Sequence, residues 1–155
     1  MAGVVARRTL TLLVAVAALA MSLSACILLP TGSQESGNDM PGSIDKETLS
    51  EAITATSPSI TSTYIAVKSD GFGHTLYVLA ALTSDALTKD ELNDVLRISY
   101  RSTIDEVETV EVETEDVTGD PLDVATAAEE LGIRHNALVH SVTYSTVHLR
   151  EAYGE

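Results

Sequence analysis

Cys26 is the only cysteine in the chain, and its surroundings point to a reaction of its own. A thiol is an effective nucleophile toward an activated alkyl or acyl group. The residues just before it, Leu23, Ser24 and Ala25, include two small side chains that leave the backbone open to a protease. With no second cysteine there is no intrachain disulfide to stabilise a fold. The other chemistry-bearing residues fall into two sets. Four histidines, His74, His135, His140 and His148, have the side chains of a zinc site, and an acidic run extends from Asp105 to Asp116.

The stretch before Cys26 reads as an address. Arg7 and Arg8 form a positive start, and the uncharged apolar run Thr9–Leu23 is shorter than the roughly 20 residues that span a bilayer. This arrangement resembles the signal of bacterial lipoproteins. Their lipobox reads Leu, a small residue, Gly or Ala, then Cys, and Leu23, Ser24, Ala25 and Cys26 match it at every position. The resemblance covers residues 1–26 alone. It implies a signal peptide over 1–25, cleavage before Cys26, and a diacylglyceryl group on the sulfur. The mature chain is then a lipid-anchored protein on the outer face of a bacterial cell membrane. One acyl chain holds only marginally, whereas two or more give a durable anchor.

Charge narrows the partners. Nine Lys and Arg stand against 23 Asp and Glu, for a formal net charge of −14, and removal of 1–25 takes away Arg7 and Arg8 but no acid. Such a chain lacks the cations that nucleic-acid phosphates require, so nucleic acid is excluded as a partner. Anionic head groups repel it, which sets the folded part away from the bilayer. A protein partner with a basic surface is the complementary expectation. The chain has no Trp and one Phe, which disfavours a sugar cleft built on large aromatic platforms.

The elements that position these residues follow from periodicity. Residues 26–43 turn from apolar to Gly, Ser, Asn, Asp and Pro and read as a flexible tether. Residues 44–155 read as one small α+β domain. Asp45 caps a first helix that carries Leu49 and Ile53, and Pro58 stops it. Ile60–Lys68 and Thr75–Leu82 form a β-hairpin around Ser69–Gly73, and the apolar second strand is expected at the sheet centre, covered on both faces or nearly so. Thr88-Lys89-Asp90-Glu91 is a capping box flanked by Leu87 and Leu92, opening a second helix. Val107–Val117 is a third strand, with Val110 and Val112 on one side and Glu111, Glu113 and Glu115 on the other. Asp120 and Pro121 open a third helix that Gly132 closes. Leu138–Leu149 forms a last strand. The order α-β-β-α-β-α-β implies a two-layer sandwich: a four-stranded sheet, mostly antiparallel or mixed, with helices on one face.

Within that frame most of the candidate chemistry has a bland explanation. Glu111, Glu113 and Glu115 lie in a row and do not converge as a calcium loop does. They read as a solvated strand face along a sheet edge or as a docking surface. His140 and His148, on one strand, stand roughly 26 Å apart, too far to share an ion. Only His74 brought against another histidine by folding would restore a metal site, so no metal and no cofactor are expected. Ser43 and Lys46 match the S-x-x-K of penicillin-binding enzymes, but the accompanying Lys-Thr-Gly is missing. Ser141, Thr143 and Ser145 alternate on one face of the last strand and suit either a small-molecule cleft or, as the blander explanation, a sheet edge that pairs with a second copy. No catalytic residue is assigned. The expected function is a membrane-anchored, non-catalytic binding or assembly module. The alternatives are a small-molecule sensor or accessory subunit of a membrane complex, and a wall hydrolase using two carboxylates.

Overall fold

The computed structural model describes residues 44–71, 73–138 and 140–154, all within the unit Gly37–Glu155. The expected signal peptide and tether, with Cys26, lie outside them.

Helix α1 spans Lys46–Thr54, and Asp45 accepts from the Thr48 N–H at its start, as expected. Strands β1 (Ile60–Ser69) and β2 (His74–Leu82) form the antiparallel hairpin. Helix α2 covers Lys89–Ser102, and its capping box is complete in both directions. Strand β3 is Thr109–Asp116, helix α3 is Ala125–Leu131, and Gly132 closes α3 at φ 73°. The chain then forms a two-residue strand β4 (Asn136–Ala137), strand β5 (Ser141–Ser145) and helix α4 (Thr146–Tyr153).

The sheet is mixed and has five strands in the order β1-β2-β3-β5-β4, not four. Only β2 and β3 are parallel, because the chain returns through α2 to start β3 at the same end of the sheet as β2. Ile65, Val78, Val112 and Val142 stand in register across four strands. They join Leu49, Ile53, Leu92, Val95, Leu96 and Leu149 of the helices in one buried cluster. Helix α1 lies against β1, α3 and α4 lie against β5, and α2 touches β3 and the other three helices. The opposite sheet face carries Tyr64, Tyr77, Leu79 and Glu113, all half-buried or exposed. Strand β2 is therefore interior but buried on one face only, which corrects the expectation of two covered faces.

Three further expectations are corrected, each because the segment found a hydrogen-bond partner elsewhere in the fold. Asp120 and Pro121 do not open a helix. Their segment folds back on β3 through a bridge between Glu115 and Pro121 and a bond from the Leu122 N–H to the Thr114 carbonyl. The start of α3 is served instead by Asp123, which accepts from the Ala125 N–H and the Thr126 hydroxyl. The long last strand breaks at Ser145, whose hydroxyl accepts from the Val147 N–H. There the Thr146 N–H and hydroxyl both reach the Glu108 carbonyl and turn the chain off the sheet. Strand β5 is also no edge, since β4 pairs with it at Val142 and Thr143.

One core group is at odds with its surroundings. Tyr144 is fully buried and its hydroxyl finds no hydrogen-bond partner among the described residues, and burial pushes its phenol well above the usual range. An unpaired buried hydroxyl costs stability that an isosteric apolar ring does not. Tyr144→Phe is therefore expected to stabilise the fold by about 1 kcal/mol, or about 4 °C in Tm. A drop in Tm on thermal unfolding would show that the hydroxyl is satisfied.

Candidate functional site

The sheet face away from the helices carries an organised row of polar side chains. Its centre is β3, where period-two alternation buries Val110, Val112 and Thr114 and turns Glu111, Glu113 and Glu115 outward. This alternation is as expected, but the place is not. The strand is third of five, so the acidic row crosses the middle of the face and guards no edge.

Neighbouring strands engage that row. Lys68 on β1 approaches Glu111 at 3.5 Å and sits 3.4 Å from the centre of the Tyr77 ring. The Tyr77 hydroxyl donates to Glu113 through a short bond. Its phenol is pushed well above its ordinary value, first by partial burial, then by that bond and the field of the acidic row. Tyr64, 62% exposed, meets Tyr77 edge to face with ring centres 6.4 Å apart. The contacts of the half-exposed Lys68 contribute on the order of 1 kcal/mol or less. An aromatic platform beside carboxylates, with a weakly held lysine on it, is a ready seat for an incoming cation.

The structure disperses most of the other candidates. Leu23, Ser24, Ala25 and Cys26, and Ser43 of the S-x-x-K match, lie outside the described residues. Asp70 of the Ser-Asp-Gly stretch does turn chemistry, accepting the Gly73 N–H across the hairpin loop. His74, at the start of β2, places its Nδ1 2.8 Å from the Ser69 hydroxyl, and His140 is exposed just before β5. His148 does not lie on a strand with His140 but on α4. It lines one groove with His135 and Arg134, a juxtaposition sequence reasoning missed. The Ser145 cap and the Gly154 stop around α4 were the available signals. Among the described residues no group of three or more His, Cys, Asp or Glu is placed to hold a metal ion, and no helix is long and apolar enough to cross a membrane.

No protein-family model matches the chain, and neither a curated protein nor a solved structure does.

Proposed function

We propose that the chain is an envelope lipoprotein anchored through Cys26, whose folded part is a non-catalytic module that docks a basic protein segment on its open sheet face. The supporting observation is the one-sided placement of the core. Helices and strands share a single buried cluster, which leaves Tyr64, Tyr77 and the row Glu111, Glu113, Glu115 on the other side. In this reading the two-layer arrangement has a purpose: one face provides the stability and the other carries the contacts. Charge complementarity selects the occupant, because a partner bearing Lys or Arg relieves the repulsion that Lys68 and Tyr77 offset only in part, at Glu111 and Glu113. Lys68 over Tyr77 is an internal stand-in for the cation such a partner brings.

The test is site-specific photo-crosslinking of the full chain in its native membrane. A crosslinker at Tyr64 is expected to give a discrete adduct. Neutralising the row with Glu111→Gln, Glu113→Gln and Glu115→Gln should abolish it, and a crosslinker at Glu130 on α3 should give none. An adduct that survives neutralisation of the row, or that forms equally from position 130, would defeat the docking reading.

A further inference from the structure

The open side of the sheet is electrically divided. Glu111 leans to Lys68 at 3.5 Å and Glu113 accepts from Tyr77, so both carboxylates are drawn toward β1 and β2. The opposite side, where β5 meets β4 and α4, contains a groove of about 400 Å³. Arg134 and His135 reach it from the segment entering β4, Asn136 from β4, Thr143 and Ser145 from β5, and His148 from α4. Thr109 of β3 completes the lining, which contains no carboxylate. A volume of this size suits a small molecule rather than a bare ion.

The guanidinium in this groove is uncommitted. The ion pairs among the described residues use Lys68, Arg97 and Arg150, and Arg134 takes part in none of them. His135 is held in place, with Nδ1 2.9 Å from the Ile133 carbonyl and its ring 5.6 Å from that of Tyr144. That bond makes Nδ1 the donor and leaves Nε2 for another partner. In a chain with 23 acids against nine Lys and Arg, a groove with a guanidinium, two imidazoles and no acid is an exception. Planar guanidinium forks and clustered hydroxyls suit oxyanions, with each charge-assisted bond roughly twice as strong as a neutral one.

We infer that the groove between β5, β4 and α4 binds a small polar molecule through an oxyanion, a phosphate monoester or a carboxylate. Arg134 anchors the charge, His135 and His148 flank it, and Thr109, Asn136 and Thr143 take the hydroxylated remainder. This site adjoins the acidic row, since Thr143 stands opposite Glu111 across the β3–β5 pair, but its own lining holds no carboxylate and it does not depend on a docked partner.

The test is a titration of the full-length protein with inorganic phosphate and, separately, with acetate. Ionic strength is held constant with chloride, and the histidine ring protons are followed by NMR. Saturating shifts are expected at His135 and His148, with His74 and His140 unmoved. Saturation by one anion and not the other supports the site and names the head group. Arg134→Gln should weaken binding about tenfold or more, while Arg101→Gln on α2 should leave it unchanged and the triple Gln variant of the acidic row, which removes negative charge beside the groove, should not weaken it. A non-saturating drift of all four histidines together would overturn the inference, as would equal weakening by Arg101→Gln.

Discussion

Glu91→Ala is expected to cost about 3 kcal/mol of folding stability, well above the usual loss of a helix cap. The half-buried carboxylate is the meeting point of two elements. Its Oε2 accepts from the Thr88 N–H and hydroxyl, both at 2.8 Å, which is the return half of the α2 capping box. Its Oε1 accepts from the Ser57 and Ser59 hydroxyls, both at 2.5 Å, in the link between α1 and β1. Truncation therefore removes the return half of the α2 cap and the shared acceptor of two hydroxyls, leaving Ser59 and the buried Ser57 with only each other. Urea unfolding followed by circular dichroism should show a lower midpoint at an unchanged slope. A loss under about 1 kcal/mol would mean that the link contributes no more than an ordinary cap.

The same carboxylate makes stability depend on pH. Partial burial pushes its pKa up and is the largest single influence. The combined donation from Ser57, Ser59 and Thr88 outweighs burial and holds the group at about 2, against 4.5 for a free glutamate. A carboxylate depressed by folding stabilises fully above its unfolded pKa, and that contribution disappears as pH falls from about 4.5 through about 2. Discounted for solvent exposure, it is worth about 2 kcal/mol. Asp45, Asp116 and Asp123 are also held low, each chiefly by a threonine hydroxyl, so the wild type loses stability in acid from several sources. Glu91→Gln isolates one of them. The gap between wild type and variant should narrow across that window, and a constant gap would exclude the assigned depression.

Cys26→Ala has the largest expected effect on location. If the sulfur carries the lipid, the variant loses a palmitate label, escapes cleavage before residue 26, and leaves the detergent phase on partitioning. Two acyl chains contribute about 0.8 kcal/mol per buried methylene, far more than residues 27–29 can supply alone. Retention of label in the variant would place the acyl group elsewhere. Uncleaved wild-type chain in the cytosol would remove the anchor altogether.

Legibility along the chain followed the range of the contacts involved. The Asp45 cap, the Thr88–Glu91 box, the turn from Ser69 to Gly73 and the Gly132 stop were all readable, because each is completed within about five residues. The alternation on β3 was readable for a similar reason, since strand geometry alone turns Val112 and Glu113 apart. The break at Ser145 was not. Ser-Thr-Val-His suits either a strand or a helix start, and the choice fell to the Glu108 carbonyl, far back in the chain, which takes both Thr146 donors. Asp120 and Pro121 carried a sound local helix signal, yet their segment was claimed by pairing with β3.

The sequence by itself determined that an acidic α+β domain occupies the C-terminal part of the chain, and it determined which side of β3 faces water. Only the tertiary structure decided that β3 lies in the middle of five strands, and that His135 and His148 share a groove with Arg134. Local signals act through bonds between near neighbours, which a single strand of text displays. Strand order and convergence depend on which distant surfaces bury most apolar area together, and that choice is made by the whole chain at once.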